Sequence, residues 1–194
     1  MGKNFAAILL AAGKAERFGA PKIMVDWNGT SLIRHVTKQI LTLELSPVVV
    51  VVGAIVEPAR QAIKNLPVTV VENKRFNDGI GTSFSAGIRH LDTVVDGAFV
   101  FLCDQPYIEP SLVEAMSSRA DEGEVLYPVV ENKPGHPVLW SQSTFPRICH
   151  MYVGETGRSI QKEFHCIEIP WESKKILRDI DTPEDYASLL GEKE

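Results

Sequence analysis

Four stretches of this chain carry residue types and spacings that could handle a phosphorylated ligand. The first is Leu10-Ala11-Ala12-Gly13-Lys14-Ala15-Glu16-Arg17-Phe18-Gly19-Ala20-Pro21-Lys22, directly after an apolar run. Small side chains at Ala11, Ala12 and Gly13 let a ligand approach the main chain, so backbone N–H groups can meet a base or a phosphate. Arg17 offers a planar fork for phosphate oxygens, and Lys22 a mobile point charge that can follow charge developing at phosphorus. The plainer reading is a glycine-containing surface loop with solvated charges. Two glycines and two cations behind a buried strand favour a site. It is not a Walker A loop, because Gly19 is followed by Ala-Pro-Lys instead of Lys-Ser/Thr.

The other three stretches are weaker taken singly. Gly79-Ile80-Gly81-Thr82-Ser83-Phe84 lacks the third glycine of a dinucleotide fingerprint. Glycines before a helix start still present N–H groups to an anion, and Ser83 could add a hydroxyl. A flexible turn is the alternative. Asp104 follows the apolar run Phe99-Val100-Phe101-Leu102-Cys103, which puts a carboxylate at a strand's end. Magnesium takes only one or two protein carboxylates and completes its shell with phosphate oxygens and water, so one acid here and one elsewhere would suffice. A turn or capping residue explains Asp104 equally well. In Arg178-Asp179-Ile180-Asp181-Thr182-Pro183 the two acids alternate along an extended stretch. They point to one side while Ile180 packs oppositely, and capping or dipole stabilisation is the competing role for Asp181.

Elements able to position these residues are visible in the hydrophobic pattern. Residues 5–11, 47–53, 68–72 and 98–103 read as nearly all-apolar strands, as expected where both sheet faces are covered. Leu32, Ile33, Val36, Ile40 and Leu41 recur at helical spacing after Thr30-Ser31, which can cap the helix. Residues 57–65 and 83–91 offer two more helices. Beyond Pro110, residues 111–119 read as a helix, and 124–130 with 135–140 as a hairpin around Asn132-Lys133-Pro134. A helix over 154–164 and a last strand over 166–170 follow, and Thr182-Pro183-Glu184-Asp185 marks a strong helix start. Strand–helix alternation predicts an α/β fold: a Rossmann-like, mostly parallel sheet with helices on both faces and a small β-hairpin extension. Its strands' carboxyl ends would share one edge, where ligands bind. Without repeats or linkers, the chain reads as a single domain over residues 1–194.

Composition narrows the function classes. The chain has 194 residues, 44% of them hydrophobic, which suffices for a sizeable core. A formal net charge of -5 argues against a general nucleic-acid binder, so a polyanionic ligand must be held by local cations and a metal. Three widely spaced cysteines, Cys103, Cys149 and Cys166, fit reduced thiols and a cytoplasmic location. Lys3 before the apolar run 5–12 resembles a signal peptide only faintly, and the residues that follow suit an active-site loop better. No run reaches the ~18 apolar residues of a membrane span.

Taken together and in order, LAAGKAERFGAPK, NKRFNDGIGTSFSAGI, LCDQP, GHPVLW and DIDTPEDY resemble the molybdenum cofactor cytidylyltransferase family, relatives of the molybdenum cofactor guanylyltransferases. The resemblance spans nearly the whole chain. It implies a nucleotidyltransferase that moves a nucleotidyl group from CTP, or GTP, to the phosphate of molybdopterin or another small phosphorylated acceptor, with Mg2+ bound and pyrophosphate released. Leu10, Ala11, Ala12 and Gly13 match the nucleotide-cradling loop, and Arg17 and Lys22 the catalytic cations that hold the triphosphate. Asn73, Gly79 and Ser83 match the middle motif beside the nucleotide. Asp104 matches the catalytic magnesium aspartate, and Asp181 the position that completes the metal site. His136, in the GHP motif, falls on the acceptor side, with a turn histidine bonded to backbone as the alternative. Guanylyltransferases of this group usually carry glycine where this chain has Ala12, which favours cytidine. Val153-Gly154-Glu155-Thr156-Gly157-Arg158 departs from the family's late Gly-Asp-x-Gly-Ala-Arg stretch, which puts acceptor identity in question. The resemblance further implies a transient contact with a molybdoenzyme. A nucleotide-binding module without turnover, or a dinucleotide-dependent oxidoreductase, are readings from other classes.

Overall fold

Seven small or apolar residues in a row form the central strand, β1 (Phe5–Ala11), and every one of them is buried. The computed structural model describes residues 2–14, 18–91 and 94–191. After β1 come β2 (Asp26–Trp27) and β3 (Thr30–Ser31), α1 (Leu32–Ile40), β4 (Val48–Val52) and α2 (Val56–Ala62). Next are β5 (Thr69–Glu72), α3 (Ile80–Arg89), β6 (Gly97–Leu102) and α4 (Pro110–Ser118). The remainder comprises β7 (Val125–Val130), β8 (Lys133–Pro134), β9 (Val138–Ser141), α5 (Phe145–Cys149), α6 (Gly157–Gln161), β10 (Cys166–Pro170) and α7 (Pro183–Gly191).

The main sheet runs β10-β7-β9-β6-β1-β4-β5, with β8 added to β7. β1 lies parallel to both β4 and β6, and β4 parallel to β5, so these four strands end along one edge. β9 is antiparallel to β6 and to β7, while β10 is parallel to β7. The hairpin of the second half is therefore no appendage: it widens the main sheet. Its turn falls at Glu131 and Asn132, both with positive φ, one residue earlier than expected, which frees Lys133–Pro134 to pair with β7.

Both faces of β1 are covered. Phe5, Ala7, Leu9 and Ala11 join a core with Leu32 and Ile33 of α1, Ala59 of α2 and Leu112 of α4. Ala6, Ile8 and Leu10 join a second core with Phe84 and Ile88 of α3, Ile148 of α5 and Ile160 of α6. Alternate residues serve opposite layers, which is why these strands show no polar face. Each fully buried Leu, Ile or Phe contributes roughly 1.5–3 kcal/mol of transfer free energy.

Some local expectations shift. Ser31 precedes α1 but makes no side-chain capping bond. α3 starts three residues earlier than its apolar spacing suggested. α6 begins only at Gly157, because a reciprocal Thr156–Ser159 capping box starts it there and the residues before it form a loop. The β2–β3 hairpin is absent from the hydrophobic pattern, yet Asn28-Gly29, with φ of 51° and 83°, is the favoured two-residue hairpin turn. Thr182 does cap α7: its Oγ1 accepts from the N–H of Asp185 at 3.2 Å, and Asp185 Oδ2 accepts in return from the Thr182 N–H at 2.8 Å. All three cysteines are free thiols, and no helix among the described residues is long and apolar enough to cross a membrane.

Candidate active site

Lys22 occupies a short 3-10 turn (Lys22–Met24), locked by a Met24 N–H to Pro21 carbonyl bond of 2.8 Å and by the buried side chain of Ile23. From that anchor its Nζ donates to Asp104 Oδ2 at 2.9 Å and to Asp181 Oδ1 at 3.0 Å. Burial alone would lower the lysine's pKa, but the two carboxylates outweigh it and hold the ammonium above its ordinary value. Three charges from distant parts of the chain thus meet at the edge where β1 and β6 end.

Asp104 and Asp181 are brought together by the segment between β10 and α7. Ile180 is fully buried, its N–H donates to the Asp104 carbonyl at 2.9 Å, and Gln105 Nε2 donates to Asp179 Oδ1 at 2.7 Å. Asp179 is consequently bonded to Gln105, while Lys22 bonds the other two acids. Burial raises the pKa of Asp179, a rise reinforced by Asp104 and Asp181 and opposed by the Gln105 bond.

A cleft of about 560 Å³ opens here, lined by Leu10, Ala11, Gly13, Lys22, Asp104 and Asp181 and also by Lys14, Ile23, Phe76, Asn77 and Cys103. Five of those lining residues were not singled out from sequence, although Phe76 and Asn77 lie in the NKRFNDG motif. The Cys103 thiol is buried beside Asp104, and burial first, then that charge, pushes its pKa up, so it stays a protonated wall atom. A smaller cavity of about 180 Å³ shares Leu10, Gly13, Phe76 and Asp104 with the cleft and adds Ala12, Ser83, Ile80 and Leu102.

The middle motif serves the site partly from below. Asn73 is buried, and its Nδ2 donates to Ser83 Oγ and Thr82 Oγ1, each at 2.9 Å, while its Oδ1 accepts from the Arg75 N–H. Both ends of the amide are therefore engaged within the protein, tying the end of β5 to the start of α3. Gly79 lines neither cavity; it precedes α3 where the Gly154 N–H reaches the Asp78 carbonyl at 3.4 Å. Arg17 lies outside the described residues.

On the other side of Leu10 is a largely apolar pocket of about 190 Å³ walled by Phe84, Trp140, Tyr127, His136, Thr156 and Arg158, with Leu10, Ile80 and Leu102 shared with the small cavity. His136 opens part of its surface to this pocket, yet protein surrounds most of its ring. That desolvation lowers its pKa to about 4 against a weak upward pull from Asp104. The ring is neutral at pH 7. Phosphate chemistry of the kind expected needs positioning and charge neutralisation more than covalent help.

Residues 7–167 match the model of the MobA-like NTP transferase domain. The chain belongs to that family. It is a nucleotidyltransferase, as several of its curated relatives are named. One relative, 27% identical over 97% of both chains, is a probable molybdenum cofactor guanylyltransferase of Bacillus cytotoxicus. Another, 25% identical over 92% of both, is the molybdenum cofactor cytidylyltransferase of Escherichia coli K12. The fold matches that of Rv0371c from Mycobacterium tuberculosis H37Rv with a TM-score of 0.86 at 20% identity, covering 99% of this chain and 100% of the other. Rv0371c has also been crystallised as a complex with manganese (TM-score 0.79, 19% identity, covering 98% and 100%).

Two acids whose oxygens reach one ammonium are at most about 6 Å apart, and both side chains are partly open to the cleft. Carboxylates are the donor chemistry of a divalent cation that takes one or two of them and fills its remaining positions with phosphate oxygens and water.

Proposed function

We propose that this protein transfers CMP from CTP to the phosphate of molybdopterin, releasing pyrophosphate, with Mg2+ held by Asp104 and Asp181. The observation that carries the reading is the meeting of Lys22, Asp104 and Asp181 beside the backbone of residues 10–13. Bound magnesium would neutralise phosphate oxygens. Lys22 supplies the protein's own positive charge at the α-phosphate, where negative charge gathers as an acceptor phosphate oxygen attacks in line. Arg17 holds the departing β- and γ-phosphates. Leu10, Ala11, Ala12 and Gly13 cradle the nucleotide with Ser83 nearby, while Asn73 and Gly79 act by shaping the start of α3. The pocket containing His136 receives the acceptor, its aromatic and aliphatic walls suiting a flat ring system.

Cytidine is favoured by Ala12, which lines the small cavity where guanylyltransferases of this group usually carry glycine; one methyl is worth about 1–3 kcal/mol of discrimination. The three free cysteines support a reducing, cytoplasmic setting. The test is to incubate the protein with Mg2+, molybdopterin and each NTP, following pyrophosphate and the mass of the product. CTP-dependent release with a CMP-linked product is expected. Exclusive use of GTP defeats the cytidine assignment, and no release with any NTP defeats the reaction.

A further inference from the structure

One wall of the pocket beside His136 is tied to α5 by a single side chain outside it. Arg147, in α5, aims its guanidinium at Glu155: Nη2 to Oε1 is 2.6 Å and Nη1 to Oε2 is 3.0 Å. The same group reaches Glu163 with Nε to Oε2 at 2.8 Å and Nη2 to Oε1 at 2.9 Å. Glu155 Oε2 also accepts from the Tyr152 N–H at 2.8 Å, so the carboxylate closes the turn at 152–155 and pins it to α5.

What this turn carries is the wall itself. Thr156, Gly157, Arg158 and Gln161 line the pocket, and they follow Glu155 immediately through the Thr156 capping box into α6. The turn rests directly on α3: a Cβ on Gly81 would lie 2.2 Å from the Glu155 carbonyl oxygen. Apolar burial does little to hold it, since Tyr152 and Val153 are 74% and 66% exposed. A turn with so little core is held by polar contacts, and of the two two-pronged guanidinium–carboxylate pairs that Arg147 makes, the one to Glu155 lies within the turn.

We propose that Arg147 is a positioning residue for acceptor binding, fixing Thr156, Gly157 and Arg158 through Glu155 without touching substrate. This rests on the reading that the His136 pocket takes the acceptor. It also assigns Glu155 a role: this acid anchors the loop and is not itself a ligand-binding group.

The test compares Arg147→Gln, Arg147→Lys, Glu155→Gln, Glu163→Gln and the Arg147→Gln/Glu155→Gln pair in the full chain. Arg147→Gln and Glu155→Gln should each raise the acceptor KM tenfold or more with the NTP KM within twofold, and the pair should be no worse than either alone. Arg147→Lys, which keeps the charge but not the fork, should fall between. Glu163→Gln should stay near the wild type. An unchanged acceptor KM, an NTP KM rising in step, or Glu163→Gln matching Arg147→Gln overturns the proposal. If the wild type itself makes no product, the reaction is wrong and the clamp is judged by hydrogen exchange. Faster exchange over 151–158 in Arg147→Gln with β1 unchanged supports it, and unchanged exchange there overturns it.

Discussion

The main-chain N–H of Ile180 donates to the carbonyl oxygen of Asp104 across 2.9 Å, and the side chain of Ile180 is fully buried. Packing and a backbone bond thereby set one acid against another that is far away in sequence. A hydrophobic residue between two aspartates decides where their charges lie.

Ile180→Ala should therefore do two things at once. Loss of a fully buried isoleucine costs about 2–5 kcal/mol, depending on how far the site collapses. Urea denaturation would show this as a lowered midpoint. Because Asp181 loses its anchor, turnover should fall as well, even at temperatures where the variant stays folded.

Asp104→Asn and Asp181→Asn keep size and remove charge. Each should cut pyrophosphate release by about 100-fold or more, the scale on which a single electrostatic group contributes to such transition states. Divalent-cation binding, followed with Mn2+ by electron paramagnetic resonance, should weaken in both. Wild-type manganese affinity in either variant would remove that acid from the metal site.

Asn73→Ala removes the partner of the buried Ser83 hydroxyl, the acceptor of the Arg75 N–H and one of the bonds to the half-buried Thr82 hydroxyl, which also bonds the Arg75 and Gly79 carbonyls. A stability loss of about 1–3 kcal/mol is expected. Thermal unfolding measures it, and an unchanged midpoint would contradict it.

His136 gives a pH signature of known sign. Its folded pKa, about 4, lies below the ordinary value of 6.5, so the unfolded chain binds the extra proton between those limits. Above pH 6.5 both states are neutral and the group contributes nothing. Stability is lost as pH falls from 6.5 through 4, by on the order of 3 kcal/mol for this site. His136→Gln should remove that part of the slope, visible as the difference between variant and wild-type unfolding free energies at pH 7 and pH 4. Parallel pH curves would contradict it.

Much of the fold was legible because local chemistry and tertiary outcome coincide. β1 consists wholly of small and apolar residues since both its faces are covered, and Thr182-Pro183 announces α7 through its own capping bond. The β2–β3 hairpin is written only in its turn chemistry, Asn28-Gly29, because its two-residue strands are too short to show a period.

Sequence alone determined which side chains could do the chemistry: a lysine after a small-residue loop, an aspartate ending an apolar strand, and a second acid before a capped helix. Only the tertiary structure decided that Lys22 lies between Asp104 and Asp181, that Asp179 is turned to Gln105, and that Glu155 is taken by Arg147. The reason is physical. Strand and helix periods arise from contacts a few residues apart and are written locally, whereas the meeting of charges depends on sheet order, on a buried Ile180 and on bonds that span most of the chain.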